Sequence, residues 1–239
     1  MTKKITLLFL LLVVVLGIST TPANAQATDA TWISSITYFV PGDDPGKLSV
    51  FFYDGTSSYT SPEIDVTGKS SGEINIGSTS LSENFKGTAV LSSSVPVASV
   101  TTQFEENNPL GFSTGFYTGF TKEDAGSTFY LSTVRANGLT SSSIGVQNVE
   151  DVAITATLNF YSVFTGNLAF KKVVELQPGA GYVSKLREIP EFSGSIFDGS
   201  LVVTAVRSDD LTTPAKVVAS AVETQDLGYG VYSYQGVKE

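Results

Sequence analysis

Five short segments of this chain occur twice, in the same order along the sequence. Ser34-Ser35-Ile36 returns 108 residues later as Ser142-Ser143-Ile144, and Phe52-Tyr53 returns at the same spacing as Phe160-Tyr161. The other pairs are 85–90 with 197–202, 97–99 with 218–220 and 117–120 with 234–237, at spacings of 112, 121 and 117 residues. A drifting spacing is what loop insertions and deletions produce. The order therefore predicts two copies of one structural unit, an organisation more typical of surface and scaffold proteins than of enzymes.

The first 25 residues have the pattern of a secretory signal. Lys3 and Lys4 precede an apolar run at 7–18, and Ala23-Asn24-Ala25 offers small residues for cleavage before Gln26. The alternative is an uncleaved membrane anchor, but the run is shorter than the roughly 20 residues that a spanning helix needs. We therefore expect a signal peptide at 1–25 and no membrane span in the mature chain.

Composition limits the partners and the source of stability. The chain has 14 basic and 23 acidic residues, a net charge of −9. Such an acidic surface argues against nucleic acid and against anionic membranes as partners. There is no cysteine, so disulfides contribute nothing and each unit must bury an apolar core of its own. The length suits two domains of ordinary size, which we place at 26–120 and 121–239.

Apolar residues recur with a period of two and are bounded by turn residues, which predicts strands. The expected strands of the first unit are 31–40, 47–54, 59–66, 72–77, 85–92 and 96–104. Those of the second are 141–149, 152–162, 168–176, 181–186, 199–206 and 216–224. The segment 105–128 is predicted as a connector that adds a strand or packs on an edge. The fold class predicted is all-β, with two tandem antiparallel Ig-like β-sandwich domains.

The absence of histidine and cysteine excludes most catalytic sites. Serine-histidine triads, cysteine nucleophiles and zinc centres all need one of these residues. A pair of carboxylates for glycoside hydrolysis remains possible in principle, but such a pair is not readable from a sequence. The prediction is a protein that is not an enzyme.

Acidic doublets in turns are the candidates for ion binding. Calcium needs several oxygen ligands that converge on one point. Two doublets, Asp43-Asp44 and Asp209-Asp210, lie in turn-like segments but lack a regular calcium-loop spacing. We expect solvated turn residues, with a weak calcium site as the alternative and no other cofactor.

Aromatic residues near the two repeated Tyr-x-Gly elements are the candidates for an interaction surface. They are Phe116, Tyr117, Tyr229, Tyr232 and Tyr234. Strand aromatics more often serve a core or a cross-strand pair, so packing at a core or edge is the other interpretation.

Several short motifs resemble known proteins. The carriers are Phe85-Lys86-Gly87-Thr88-Ala89-Val90, Pro96-Val97-Ala98-Ser99-Val100, Tyr117-Thr118-Gly119, Phe129-Tyr130-Leu131 and Val146-Gln147-Asn148. Together they resemble the tandem β-sandwich repeats of bacterial secreted and cell-surface proteins. The resemblance implies an architecture and an extracellular place, and it implies no chemistry.

These observations favour a non-enzymatic extracellular protein with a structural or adhesive role. It would be a secreted, cell-surface component of a sheath or filament, assembling by strand pairing at domain edges. Its partners would be further copies of itself or other surface proteins. The alternative is a carbohydrate- or ligand-binding module, with glycans as partners.

Overall fold

Alternating apolar and polar residues form antiparallel strands throughout the part of the chain that the structure describes. The computed structural model describes residues 32–53, 58–81, 85, 87–105, 114–225 and 231–239. The first half (residues 32–118) contains β1 (Trp32–Phe39), β2 (Gly46–Tyr53), β3 (Ser58–Thr60), β4 (Ile64–Val66), β5 (Ser71–Asn75), β6 (Thr88–Ser93), β7 (Ala98–Glu105) and β8 (Thr114–Thr118).

The second half (residues 128–239) contains β9 (Thr128–Ala136), β10 (Thr140–Asn148), β11 (Ile154–Ser162), β12 (Leu168–Leu176), β13 (Gly181–Lys185), β14 (Phe197–Arg207), β15 (Val217–Gln225), β16 (Val231–Gln235) and β17 (Val237–Lys238). Short 3-10 turns occur at Ile76–Ser78, Lys122–Asp124 and Leu186–Glu188. The described chain has no α-helix, and the fold class is all-β with antiparallel sheets.

Two sheets face each other in the first half. One has the order β5-β1-β7-β8, and in the other β2 pairs with β3, β4 and β6. Their inner faces bury one cluster, to which β1 contributes Ile36 and Tyr38, and β2 contributes Leu48, Val50 and Phe52. The alternation of buried and accessible residues along β2 is what a half-buried strand requires. The first half is therefore a small β-sandwich.

The same strand pairings occur in the second half. β10 pairs with β13 and β15, β15 with β16, and β11 with β12 and β14. These match the pairings of β1, β7 and β2 in the first half. Two strands have no described counterpart: β9, which pairs with β14 and touches β10, and β17, which pairs with β9. β9 thereby joins the two sheets of the second half on one side.

Matching aromatic clusters lie in the two cores. The ring of Phe52 stacks on Tyr59 at 6.1 Å and meets Phe85 edge-on at 6.0 Å. At the corresponding places Phe160 stacks on Phe170 at 5.7 Å and meets Phe197 edge-on at 6.2 Å. Offset-stacked and edge-to-face pairs are the favoured geometries of aromatic rings. The repeated Phe-Tyr motif thus places its phenylalanine in each core.

The predicted strands are confirmed, with small shifts at their ends. The expected strand 59–66 is divided into β3 and β4 by Ser61 and Pro62, and the 105–128 connector contains β8 as an added strand. One spacing is corrected, because Ala98 pairs with Phe39 whereas Val218 pairs with Gln147. The spacing there is 120 residues and not 121. The described residues belong to one compact unit. The domain boundary at 120/121 and the Ig-like assignment stay predictions. The expected signal at 1–25 lies outside the described residues.

Candidate assembly interface

In the second half, β9 completes the sandwich beside β14. The two strands pair in antiparallel register along most of their length, with a shift between Gly199 and Leu201. The inward-facing side chains of β9 are almost completely buried, and they are Phe129, Leu131, Val134 and Ala136. Leu131 lies opposite Leu201 in the ladder. β9 therefore supplies a wall of the second core.

In the first half, the described residues place no strand at the corresponding edge. β6 takes the position of β14, because Phe52 pairs with Ala89 as Phe160 pairs with Leu201. Among the described strands β6 pairs with β2 alone. Ala89 is exposed, whereas Leu201 is completely buried. The first half thus lacks a described strand where the second half has β9.

Neighbouring core residues show the same difference. Leu91 of β6 is half-buried, whereas Val203, its counterpart on β14, is completely buried. Ile76 is half-buried after β5, whereas Leu186 is completely buried after β13. A gap at one side of a sandwich leaves apolar surface in contact with water, and this surface favours a covering group.

Backbone groups of β6 point outward at this edge. The Val50 N–H donates to the Ser61 hydroxyl at 2.9 Å, and the Val50 carbonyl accepts from the Ser61 N–H at 2.8 Å. Both groups of Val50 therefore point away from β6. Residues directly opposite in an antiparallel pair either exchange both hydrogen bonds or neither, so Leu91, opposite Val50, also directs its N–H and carbonyl outward. The N–H and carbonyl groups of Ala89 and Ser93 point outward as well, because this direction repeats every second residue along a strand.

The second half supports this assignment of bonding partners. Ala205 lies 112 residues after Ser93, and its N–H donates to the carbonyl of Ser127, just before β9, at 2.9 Å. The outward groups of β6 consequently correspond to those that β14 uses toward β9. An edge with unpaired N–H and carbonyl groups is a template for a further strand.

A glycine lies just before β6 and another near the start of β14. A Cβ placed on Gly199 would collide with the carbonyl oxygen of Tyr161 and with the ring of Phe197. A Cβ on Gly87 would collide in the same way with the Tyr53 carbonyl and the Phe85 ring. Gly199 is also where the β9 ladder shifts register, which is a common setting for glycine. These contacts indicate a structural role for both glycines.

A second candidate site is a polar groove on the second half. It has a volume of about 450 Å³ and is lined by Ser132, Thr133, Arg135, Glu223, Gln225 and Tyr234. Arg135 Nη1 donates to Glu223 Oε1 at 3.0 Å, and its Nε lies 3.3 Å from both carboxylate oxygens of Asp198. The Glu223 side chain is 8% exposed. A buried carboxylate of this kind needs its cation, so the network holds Arg135 in a fixed position.

Tyr234 forms the half-buried wall of this groove and packs against the second core. Burial raises the pKa of its phenol to about 12, with a further increase from the nearby negative charge of Glu223. Its hydroxyl is buried and has no hydrogen-bond partner of good geometry among the described residues; the neighbouring Ser142 hydroxyl lowers the pKa slightly. The groove offers hydroxyl, amide, guanidinium and carboxylate groups beside an aromatic ring.

The four acidic calcium candidates form two adjacent pairs, which lie in two separate turns. Asp43 forms an ion pair with Lys69, and Asp209 accepts from Arg207 at 2.9 and 3.0 Å. Asp210 accepts from the hydroxyls of Thr212 and Thr213, each at 2.7 Å. Asp44 is an exposed turn residue beside Asp43. These bonds use carboxylate oxygens that calcium would need, and no group of three or more Asp, Glu, His or Cys in the described chain could hold a metal ion.

The structure describes the side chains of two of the five residues in the predicted aromatic surface. Phe116 on β8 is 61% exposed, whereas Tyr234 on β16 is half-buried. The side chains of Tyr117 and Tyr232 and the whole of Tyr229 lie outside what the structure describes. The backbones of β8 and β16 nevertheless approach each other, because Gln235 Nε2 donates to the Thr118 carbonyl at 3.0 Å.

Comparison with known proteins adds no family. No protein-family model matches the chain, and no curated protein matches it significantly in sequence. Among the described residues, no helix has the length and the apolar character needed to cross a membrane.

Two features escaped the sequence analysis. β9 is not among the predicted strands of the second unit, although the resemblance places a Phe129-Tyr130-Leu131 strand near it. Its apolar residues between Gly126 and Gly138 are the signal that could have revealed it. The Arg135–Glu223 pair joins residues 88 positions apart, and nothing local in the sequence indicates it.

Proposed function

We propose that this chain is a non-enzymatic extracellular protein with a structural or adhesive role, built from two copies of one sandwich unit. It is exported and becomes part of a cell surface, sheath or filament. It joins a neighbouring polypeptide by strand pairing at an open sheet edge. Neighbours are further copies of the chain or other surface proteins.

The observation that carries this proposal is the edge of β6, beside which the described part of the chain has no further strand. The outward backbone groups of Ala89, Leu91 and Ser93 stand next to a partly covered core, and the equivalent place in the second half is filled by β9. Proteins normally protect such edges with charge, proline or a covering segment. Outward-pointing backbone groups beside a partly covered core favour pairing with another chain.

An edge-blocking variant tests this function in the cells that produce the protein. Ala89→Pro removes an N–H that points away from β2, so the β2–β6 ladder is kept while the free edge is blocked. Ala89→Ser keeps the N–H and is the matched control. Fractionation and immunogold electron microscopy should find the native chain and Ala89→Ser in the surface layer, and Ala89→Pro largely in the medium.

The outcomes separate clearly when folding is checked by circular dichroism. Equal retention of the Ala89→Pro and Ala89→Ser variants would show that this edge does not anchor the protein. Native protein found only inside the cell, or freely soluble in the medium, would contradict the surface role itself.

The polar groove favours a second candidate function, carbohydrate binding. Sugar hydroxyls pair well with fixed guanidinium, carboxylate and amide groups, and Arg135, Glu223 and Gln225 line the groove beside Tyr234. A glycan array followed by calorimetry tests it, with Gln225→Ala as the binding variant. Binding that Gln225→Ala leaves unchanged, or no binding at all, would exclude the groove as a glycan site.

A further inference from the structure

We propose that β12 is a self-complementary edge strand, through which two copies of this chain pair as an antiparallel dimer. Val173 of one copy lies opposite Val173 of the other, and on either side of this centre Lys171 lies opposite Glu175. This edge belongs to the second half, so the inference goes beyond the proposed function, which rests on β6.

β12 is an edge strand whose nine residues are all described. Among the described strands it pairs with β11 alone. On its outer face Val173 is 53% exposed, and Lys171 and Glu175 are exposed beside it. The first half contacts a different sheet, because Thr88 lies against Gly181 of β13 and β8 lies beside β16. Those strands belong to the sheet of β10 and β15, whereas β12 belongs to the sheet of β11 and β14.

The hydrogen bonds of β11 decide which backbone groups of β12 point outward. The Ser162 N–H donates to the Asn167 carbonyl at 3.0 Å, so the even-numbered residues of β11 bond toward β12 and the odd-numbered ones toward β14. From residue 170 onward, the even-numbered residues of β12 lie opposite those even-numbered residues. The odd-numbered residues therefore direct their N–H and carbonyl groups away from β11, and they are Lys171, Val173 and Glu175. Such groups are a template for a further strand.

The side chains on this edge match themselves in one antiparallel register. When Val173 faces its own copy, Lys171 faces Glu175 at both ends, and each facing pair exchanges two backbone hydrogen bonds. Opposite charges directly across a ladder are stabilising, and like charges are destabilising. An in-register parallel pair would set like charges side by side, and an antiparallel shift of two residues would lose both charge pairs. Charge complementarity thus selects a second copy in this register.

The two charged residues have no competing partner nearby. Neither Lys171 nor Glu175 forms an ion pair with another residue in the part of the chain that the structure describes. Their neighbours on the outer face of β11 are Asn159, Thr157 and Thr155, which carry no charge. Pairing of two copies therefore gives each charge a partner without breaking an existing ion pair.

The equivalent edge of the first half is blocked. Tyr59 and Phe170 hold equivalent places, because each lies opposite the phenylalanine of the repeated Phe-Tyr motif. Counting on three residues leads to Pro62 in the first half and to Val173 in the second. Pro62 has no N–H and lies between β3 and β4, which are short. Proline is a common protection of sheet edges, and β12 contains none. The chain thus interrupts one of two equivalent edges and keeps the other continuous.

Sedimentation velocity of the mature chain tests the pairing. From about 1 μM to 500 μM the native chain should pass from monomer to dimer, as a small interface predicts. Val173→Pro removes an outward N–H and leaves the β11 ladder intact. Because two-fold symmetry removes two hydrogen bonds at once, the dissociation constant should rise at least about tenfold. Val173→Thr keeps the N–H and the branched shape, and as the matched control it should leave the constant unchanged. Hydrogen exchange should slow at residues 171–175 as concentration rises.

Charge exchange tests the partner and the register. Lys171→Glu sets like charges opposite each other at both ends, and so does Glu175→Lys, so each should weaken self-association about tenfold. A mixture of these two variants should form a mixed dimer, and the double variant Lys171→Glu, Glu175→Lys should associate like the native chain. Circular dichroism checks that each variant folds. A native chain that stays monomeric, a dimer insensitive to Val173→Pro, or a double variant without recovery would overturn the inference.

The results remain separate from those on the proposed function. Ala89→Pro should leave this dimer unchanged, because β6 belongs to the first half. Equal surface retention of the two Ala89 variants, with the dimer intact, would remove the role of β6 and support the pairing of β12. Self-association that Ala89→Pro abolishes and Val173→Pro does not would place the contact between copies at β6 and overturn the inference.

Discussion

The hydroxyl of Ser233 donates a hydrogen bond to the carbonyl of Phe116, 117 residues earlier in the chain. These two residues hold the same place in their halves, because Phe116 pairs with Thr102 as Ser233 pairs with Val222. The edge strands β8 and β16 therefore lie side by side at equal positions. Side chains, and not a backbone ladder, make the hydrogen bonds described between them.

Removing these side-chain bonds should loosen β8. The double variant Ser233→Ala, Gln235→Ala loses the bonds to Phe116 and Thr118, each contributing about 1 kcal/mol. Hydrogen exchange at 114–118 should accelerate, while exchange in β11 stays unchanged. Ser220→Ala, on the neighbouring strand, is the control. Unchanged exchange at 114–118 would show that β8 is held by β7 alone.

Gly199→Ala should destabilise the protein by about 1–3 kcal/mol, because the new Cβ overlaps the carbonyl of Tyr161 and the ring of Phe197. Gly138→Ala is the matched control, since nothing lies within 4 Å of a Cβ there. Urea unfolding measures both free energies. A Gly199→Ala variant as stable as Gly138→Ala would contradict the close approach.

Asn148→Val should lower the free energy of unfolding by about 3 kcal/mol. The Asn148 amide is 1% exposed and donates to the carbonyls of Val152, Leu176 and Gln177 at 2.8–3.1 Å. Its Oδ1 also accepts from the Glu150 N–H at 2.8 Å. Valine would leave these groups without a partner.

The first half offers a comparison for this change. Val40 occupies the place of Asn148, since the N–H of Val40 donates to Ser70 as that of Asn148 donates to Ala180. Valine is therefore sterically compatible with the site, and the loss measures hydrogen bonding. Gln147→Val is the control, because the Gln147 amide makes one such bond. Thermal unfolding should show a larger loss of stability for Asn148→Val than for Gln147→Val. Equal losses would contradict the argument.

Tyr234 should make stability fall at high pH. Its folded pKa of about 12 lies above the ordinary value near 10. The unfolded chain therefore releases this proton first, and the stability contribution is complete below pH 10 and lost as the pH rises toward 12. Tyr234→Phe should not show this loss. Urea unfolding of the native chain and of Tyr234→Phe from pH 8 to 12 measures this loss, and absorbance at 295 nm follows ionisation of the phenol. Parallel curves of unfolding free energy against pH for the two proteins would contradict the prediction.

The strands were predictable where the period of two is unbroken. β2 and β11 alternate without interruption, and Phe52 and Phe160 mark the same depth in each core. β9 was not predicted because its register shift separates Leu131 from Val134 by three residues, which breaks the alternation. A pattern rule based on period two fails at a bulge.

Sites made by distant residues could not be read from the sequence. Arg135 meets Asp198 and Glu223 only because β14 and β15 are brought beside β9 and β10. The different surroundings of β6 and β14 in the described structure could not be predicted either, because the segment 85–90 looks like its counterpart at 197–202. β6 and β14 differ in the strands that pair with them, and strand pairing is a property of the topology.

The half-buried residues at the β6 side of the first core also set the timescale of any complex formed there. A strand that binds here becomes part of the hydrophobic interior. Its release exposes Ile76 and Leu91 to water again, so dissociation resembles partial unfolding more than the separation of two rigid surfaces. Dissociation is then governed by an unfolding barrier. A joint of this kind is slow to open and long-lived without a covalent bond.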